Sequence, residues 1–521
     1  MHRTTQIICL WAVLGLLQST VLAGVDGKDI TTPILNSGLP DKPVAVEKSD
    51  GWKWGDPITL ADGMVIIDGE ERMRFELRNN NFDFNDSVNN VTDDSYLLQR
   101  FRVGVMAKPL DWMTLYVQGQ DSREIDSDRP DVPFVMGSEG DNDFNLRQAW
   151  IQLGNPKEFP VSTKIGRQTL IYGDERLVGA FDWNNFGRTF DAVKVTYDIP
   201  AAKTTIDAFV ANVVTIRPNN QTNNDEYAFN GSDPYDLFTG IYAKSDYLDF
   251  QTTEAYFLYR DKTRNGPIYS DPPFVANTAS AASLPYDVQQ EVFTVGGRVK
   301  SSDPKKLHGF DYEAEGAYQF GSTDGRNGTV SGGSFTFPTG SALNLSAFAA
   351  HGAAGYTWTS CEWKPRVGIQ YDVASGDDNP SDGSSQTFMN LYPTNHKFYG
   401  YMDLFAWKNI HNPSYNFSIK PMRDLTLTFA HQFFWLYTTQ DAWYRANGVA
   451  QVRPLNAAAM SANNYVGNEV DITATYSPVK NLGILVGYSH FFSGDYVKDT
   501  QAGTNGPDDA DFFYLQSTVK F

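Results

Sequence analysis

One stretch near the N-terminus, residues 69–78, constrains the fold of this 521-residue chain more than any other feature. Its odd positions are apolar: Met73, Phe75 and Leu77. Its even positions are charged: Arg72, Arg74, Glu76 and Arg78. Strict period-two alternation places one set of side chains on each side of a sheet. A membrane barrel with a water-filled lumen accommodates both faces, whereas a soluble sandwich rarely places three arginines on one short strand.

The N-terminal segment has the features of a cleaved secretory signal. Residues 1–23 contain Arg3, an apolar run over residues 7–17, and small or apolar residues at the end. No later apolar run is long enough for a membrane-spanning helix. Cys9 lies in this signal, so the mature chain keeps only Cys361 and cannot form an internal disulfide.

Net charge and proline content give two further constraints on the chain. The net charge of −20 argues against a nucleic-acid partner, because such binding depends on lysine and arginine. Residues 24–62 contain four prolines and no sustained alternation, which predicts an N-terminal periplasmic extension. The barrel domain is expected to cover residues 63–521.

Alternating segments recur from residue 63 to the C-terminus. They predict eighteen strands at approximately 63–79, 95–107, 112–123, 142–154, 161–171, 188–199, 203–215, 237–248, 250–261, 288–301, 309–321, 350–360, 363–374, 412–421, 424–437, 467–477, 482–493 and 511–521. The connections alternate between short, turn-forming segments and long ones. Residues 398–409 could form a further strand, but a strand there would break this alternation, so we assign them to a loop.

This layout predicts an all-β fold: a transmembrane antiparallel β-barrel with short periplasmic turns and long extracellular loops. An even strand number places both termini on the periplasmic side. The expected location is the bacterial outer membrane, with membrane lipid around a monomer. The last strand ends in Phe521 and resembles the closing strand that the barrel-assembly machinery recognises.

The alternation also predicts which charges face the lumen. Arg100 and Arg102 join the three arginines of residues 69–78 on neighbouring strands. Further basic residues expected to line the pore are Lys194, Arg298, Lys300, Lys364 and Arg366. Acidic residues also alternate inward: Glu70, Glu76, Asp311, Glu313, Glu315, Glu469 and Asp471. These carboxylates could neutralise the basic groups as cross-strand ion pairs, and the remaining guanidinium groups would attract anions.

No pattern points to catalysis. Ser489 and His490 are adjacent, so in a strand they face opposite sides and cannot form a dyad. We therefore expect no enzyme activity and no required cofactor. A loop at residues 375–383 resembles a calcium-binding turn without EF-hand spacing, so weak candidates for a Ca²⁺ site in an extracellular loop are Asp377, Asp378, Asn379 and Asp382.

Several motifs resemble those of the alginate export family of outer-membrane porins. They are GRQ at 166–168, YGDERL at 172–177, WNN at 183–185, GRTFDA at 187–192, SGDD at 375–378 and LYPTNH at 391–396. The resemblance spans the barrel and implies an eighteen-stranded monomer with an arginine-rich constriction for an anionic uronate polysaccharide. By position, it implies selectivity roles for Arg72, Arg74, Arg100, Arg102, Arg167, Arg176 and Arg188.

The first hypothesis is therefore a passive, anion-selective channel that exports an acidic polysaccharide such as alginate. The alternative is a porin for uptake of small anions or sugar acids. A barrel enzyme or adhesin, whose loops act on surface ligands, is a third possibility.

Overall fold

The structure, a computed structural model, describes most of the chain from Gly55 to Phe521. The described residues are 55–86, 93–129, 139–155, 158–217, 229–263, 289–324, 329–331, 334–336, 342–448, 451–453, 455–501 and 507–521. The proposed signal peptide and residues 24–54 of the proposed N-terminal extension lie outside them. Among the described residues, no helix is long and apolar enough to span a bilayer.

Eighteen strands within the described ranges form a closed antiparallel barrel, as the alternation predicts. They are β1 (Val65–Asn79), β2 (Asp94–Leu110), β3 (Met113–Ile125), β4 (Asn142–Leu153), β5 (Val161–Gln168), β6 (Phe190–Ile199), β7 (Thr204–Thr215), β8 (Gly231–Ser245), β9 (Gln251–Lys262), β10 (Gln290–Ser301), β11 (Phe310–Asp324), β12 (Ala342–Thr357), β13 (Arg366–Ala374), β14 (Ile410–Met422), β15 (Leu425–Leu436), β16 (Tyr465–Val479), β17 (Leu482–Ser493) and β18 (Ala510–Lys520). Each of the eighteen predicted segments overlaps one of them.

The barrel closes where β1 pairs with β18, from Glu70 opposite Lys520 to Asn79 opposite Asp511. Just beyond the Glu70 end of this seam, Gly69 and Phe521 exchange two backbone hydrogen bonds, of 3.0 and 3.1 Å. A Cβ atom on Gly69 would lie 2.4 Å from the Phe521 ring, so any larger residue at position 69 would require the terminal aromatic ring to shift. Closure leaves no unpaired sheet edge in the membrane.

The two faces of the sheet differ as expected for a membrane channel. On β1, the outward residues Met73 and Leu77 are 38% and 43% exposed, whereas the inward residue Arg74 is fully buried. The outward residue Ile369 on β13 is 67% exposed. The exposed apolar residues form the lipid-facing belt, and the charged residues project into the lumen.

Connections of two to eight residues alternate with connections of 14 to 35 residues. Residues 398–409 lie in the longest connection and form no strand. The long connections also contain smaller elements. They include two short helices, α1 (Ala457–Ser461) and α2 (Asp495–Thr500), and a two-residue strand (Ser384–Ser385). The last part of the proposed extension is ordered, because Ile58–Leu60 pairs with the start of β1.

Two long loops enter the barrel and position the site. Inner loop 1 comprises residues 169–189, between β5 and β6, and inner loop 2 comprises residues 375–409, between β13 and β14. Their apolar side chains pack with inward side chains of the strands in one buried cluster. Inner loop 1 contributes Leu177 and Val178, and inner loop 2 contributes Tyr399, Phe405 and Trp407. The lumen at this level therefore holds a packed core as well as charged groups.

Candidate functional site: the arginine wall

Six arginines project into the lumen from three of the first four strands of the barrel. We call them the arginine wall: Arg72, Arg74 and Arg78 on β1, Arg100 and Arg102 on β2, and Arg147 on β4. Each is at most 9% exposed. The first five occupy the inward positions that the alternation predicts. Their proximity follows from the register of β1 and β2, which places Arg72 directly opposite Arg100.

Arg147 is a member of the wall that the sequence interpretation missed. Its neighbours Phe144 and Leu146 face outward and are 52% and 39% exposed. An irregularity in the pairing of β3 and β4 lies beside it, between Gln118 and Gly119. The alternation of Leu146 and Arg147 was the signal that could have identified it.

Inner loop 1 supplies a carboxylate that contacts three arginines of the wall. Asp182 lies 2.7 Å from Arg102 and 3.2 Å from both Arg100 and Arg147. Burial alone would raise the pKa of the Asp182 carboxyl, but these three guanidinium groups hold it well below its usual range. Asp182 is therefore an ionised group buried among cations.

Three further carboxylates complete the surroundings of the wall. Glu70 lies 2.6 Å from Arg100, and Glu76 lies 2.6 Å from Arg74. Glu139 lies 3.0 Å from Arg74. In the described part of the chain, four carboxylates thus lie within 4.0 Å of the six guanidinium groups. The carboxylates partly neutralise the wall and leave an excess of positive charge.

A second basic cluster, at β10, is balanced by acidic groups. Arg298 lies 2.5 Å from Glu254, 2.8 Å from Glu313 and 2.8 Å from Asp174 of inner loop 1. Lys300 also contacts Glu313, at 3.1 Å. The expected cross-strand ion pairs between β10 and β11 are therefore present, and they leave these two cations with little free charge.

Arg176, from inner loop 1, docks against the opposite wall. It lies 2.9 Å from Asp372 on β13, and its Nη2 is 3.1 Å from Nε2 of His351 on β12. A guanidinium only donates hydrogen bonds, so Nε2 of His351 must be the acceptor. Nδ1 of His351 therefore carries the hydrogen and donates to Asp372 at 3.0 Å. The geometry therefore selects the neutral tautomer of His351 with hydrogen on Nδ1.

Three further predicted residues differ in the kind of group that they contact. Arg188, in inner loop 1, donates to the carbonyl oxygens of Gly179 and Pro393 at 3.3 and 2.9 Å, and burial lowers its pKa to about 10. Lys194 faces the lumen and pairs with Asp207 at 3.2 Å. Arg366 pairs with Asp311 at 2.6 Å.

Two residues expected in the pore lie elsewhere. Arg167 has the same orientation as Ile165, which is 40% exposed to lipid, and forms two bonds of 2.8 and 2.9 Å with Asp191 on the outer surface. Lys364 lies in the short connection before β13, with a left-handed φ of 45°. The strand begins after Pro365, so Lys364 is exposed outside the barrel wall.

The two inner loops are joined inside the barrel. Val178 and Tyr392 form a parallel bridge, flanked by backbone hydrogen bonds of 2.8 and 2.9 Å. The Trp183 ring lies between the guanidinium of Arg74, 3.9 Å from its centroid, and the ring of His396, 3.7 Å away. These contacts connect both loops to the arginine wall.

The calcium candidates lie at the start of inner loop 2, in a series of turns. The backbone amide of Asn379 donates to Asp377 at 3.2 Å, and that of Ser384 donates to Asp382 at 2.7 Å. Burial, with nearby Asp441, raises the pKa of Asp377 to about 7. No group of three acidic, histidine or cysteine side chains able to hold a metal occurs in the described ranges. A calcium ion at this turn stays a prediction.

Ser489 and His490 face opposite sides of β17, as expected for adjacent strand residues. Ser489 is buried and donates to Asp471 in the lumen at 2.6 Å, whereas His490 lies 2.8 Å from Asp511 on the outer side. The two side chains therefore cannot act together as a dyad.

A closed eighteen-stranded barrel with an apolar outer belt and a charged lumen defines an outer-membrane channel. The chain belongs to the alginate export family, whose sequence profile matches residues 64–507. Both results place it in the bacterial outer membrane.

Solved structures share the fold at low sequence identity. OccK8 (OprE) of Pseudomonas aeruginosa is 12% identical with a TM-score of 0.51, over 88% of this chain and 98% of that chain. OccD3 (OpdP) of the same organism is 10% identical with a TM-score of 0.51, over 90% and 93%. OccAB1 of Acinetobacter baumannii is 12% identical with a TM-score of 0.50, over 88% and 97%. No curated protein sequence matches the chain.

Proposed function

We propose that this protein is a passive, anion-selective channel that exports an anionic polysaccharide such as alginate. The observation that supports this most directly is the excess of guanidinium over carboxylate groups at the arginine wall. Membership of the alginate export family supports the same substrate class. The barrel provides a path through the membrane, and the wall provides the preference for negative charge.

The chemistry of arginine suits this task. A guanidinium binds a carboxylate through two parallel hydrogen bonds and keeps its charge at all physiological pH values. Positive charge in a confined lumen raises the local concentration of anions. A chain of uronate residues could then move between neighbouring arginines, provided that each contact is weak enough to release.

The residues proposed to set selectivity are those that face the lumen without full neutralisation. They are the arginine wall and Arg188, with secondary contributions from Arg176, Lys194, Arg298, Lys300 and Arg366, each of which has a carboxylate partner. Arg167 and Lys364 are not included, because they lie outside the lumen.

Export and uptake of an anion use the same passive path, so the direction is set by the gradient. Uptake of small anions or sugar acids is the second candidate. It is favoured by the depth at which the inner loops cover the wall: Arg72, Arg74 and Arg100 are at most 2% exposed. A narrow path past these loops suits a small anion better than a polymer.

The test compares the entry of size-matched charged and neutral solutes into proteoliposomes that contain the purified protein. Uronates of one to six sugars are compared with glucose and neutral glucose oligomers of the same lengths. The proposal predicts faster entry of the oligouronates at every length. Entry of single uronic acids alone would support the uptake candidate, and faster entry of the neutral oligomers would contradict both.

We further propose that the protein is a monomer and that the barrel-assembly machinery recognises its last strand. The support is the position of Phe521, which ends the chain at the barrel seam beside Gly69. Cross-linking in native membranes tests the oligomeric state, and deletion of Phe521 tests recognition through the yield of folded barrel.

A further inference from the structure

The carboxylate of Asp182 lies within the arginine wall, although this residue belongs to inner loop 1. Its Oδ1 is 2.7 Å from Nη2 of Arg102 and 3.2 Å from Nη2 of Arg147, and its Oδ2 is 3.2 Å from Nη2 of Arg100. Its backbone carbonyl accepts from Arg72 at 2.7 Å and from Arg100 at 2.9 Å. One acidic residue of a loop thus engages four guanidinium groups.

The cations and the anion of this site come from elements of different rigidity. The four guanidinium groups project from β1, β2 and β4, whose backbones are hydrogen-bonded to strands on both sides. Asp182 projects from a loop whose only strand-like contact is the bridge at Val178. The cationic frame is therefore built into the barrel wall, while its anion is attached to the element that can move more readily.

Arg72 depends on this loop for its hydrogen bonds. Its guanidinium donates to the carbonyl oxygens of Asp182 and Asn184, and to the side-chain oxygen of Asn185. Within the described ranges, no carboxylate lies within 4.0 Å of it, and its Nε has no hydrogen-bond partner. If inner loop 1 moved away, Arg72 would present all of its donors to the lumen.

The group that Asp182 places among these arginines is also the group that a uronate sugar carries. We propose that Asp182 is an internal substitute ligand: it occupies a carboxylate-binding site of the arginine wall, and the carboxylate of an incoming anion displaces it together with inner loop 1. This inference rests on the proposed function, because it concerns how the same wall binds its substrate.

Displacement by an anion, rather than spontaneous opening, follows from the cost of unpaired buried charge. Removal of one member of a buried ion pair is strongly unfavourable, because the other charge is left without a partner. An incoming carboxylate replaces the lost contacts as Asp182 leaves. Binding of the anion and movement of the loop are then coupled, since the ligand favours the displaced state only through these contacts.

Block of chloride current by a short oligouronate tests competition in a planar bilayer. Asp182→Asn keeps the size of the side chain but removes its charge, so the half-blocking concentration should fall by about tenfold. Glu70→Gln removes one negative charge from the same group of arginines but leaves Asp182 in place. Glu362→Gln, at an exposed position in the short connection before β13, is the matched control for net charge.

The three variants separate competition from simple electrostatics. Competition predicts that Asp182→Asn tightens the block much more than Glu70→Gln does, and that Glu362→Gln leaves it unchanged. Equal tightening by Asp182→Asn and Glu70→Gln, or none by Asp182→Asn, would overturn the inference. If the wild-type protein shows neither chloride preference nor block by oligouronate, the proposed function itself fails.

A measurement on the wild-type chain covers the case in which Asp182→Asn does not fold. Arg176 and Arg188 are trypsin sites within inner loop 1, and they are largely protected while the loop lies in the lumen. Oligouronate should accelerate cleavage at these sites, whereas a neutral oligomer of equal length should not. Protection by oligouronate, or equal cleavage with both sugars, would contradict displacement of the loop.

Discussion

Tyr392 of inner loop 2 pairs with Val178 of inner loop 1 and, through its hydroxyl, donates to Asp236 on β8 at 2.5 Å. Met402 of the same loop donates its backbone amide to Glu469 on β16 at 3.0 Å. The two inner loops thus form one body that is attached to well-separated parts of the barrel wall. Transport through the lumen requires a path past this body or a movement of part of it.

The Trp183 ring should hold the tip of inner loop 1 against the wall. Stacking on a guanidinium and on a second ring contributes about 0.5–2 kcal/mol for each contact. We expect Trp183→Ala to loosen the tip and to increase the frequency of high-conductance states in single-channel recordings. Trp363→Ala, at an exposed position in a short turn, is the control. Identical recordings for the two variants would show that Trp183 does not restrain the pore.

The buried pair of Arg176 and Asp372 should stabilise the folded loop. Asp372→Asn leaves the guanidinium without an ionised partner at a site where both side chains are at most 2% exposed. A destabilisation of about 3–5 kcal/mol is expected, measured by urea unfolding in lipid vesicles. Asp249→Asn breaks the exposed ion pair between Asp249 and Lys203, whose side chains are 76% and 56% exposed, respectively. This control should leave the urea midpoint of unfolding unchanged. Equal midpoints for both variants would contradict this assignment.

Asp377 should make the start of inner loop 2 sensitive to pH. Its pKa is about 7 in the folded protein, against an ordinary value of 3.8. Between these values the folded state retains a proton that the unfolded segment has lost, so local stability falls as the pH rises from about 4 to about 7. Amide exchange at residues 375–383, corrected for the intrinsic rate, should show less protection at pH 8 than at pH 5. Asp377→Asn should abolish the difference, and its persistence would exclude Asp377 as the cause.

The strands could be predicted from the sequence because alternation is a local property. Each inward arginine of β1 and β2 has at least one apolar residue next to it in the sequence, such as Met73 between Arg72 and Arg74. The same rule, applied strictly, would have placed Arg167 on the outside with Ile165. The resemblance to the alginate export family included Arg167 by motif, and motif position does not define the face of a strand.

The contents of the lumen could not be predicted in the same way. Asp182 and Trp183 lie in a loop, and nothing in their local sequence indicates that this loop turns inward. Their partners are far apart in the chain, so the contacts depend on closure of the barrel. The alternation of Trp363 and Lys364 predicts a strand that includes both, but Pro365 has no amide hydrogen to donate and the strand begins at the next residue. Loop paths and strand ends thus depend on tertiary structure.

The most direct test of the central claim is the reversal potential of single channels under a potassium chloride gradient. The excess of arginine in the wall predicts that the wild-type channel prefers chloride. Arg102→Gln combined with Arg147→Gln should reduce that preference severalfold, whereas Arg167→Gln, on the outer surface, should leave it unchanged. A reversal potential that shows preference for potassium, or one that is indifferent to the double substitution, would contradict an anion-selective arginine wall.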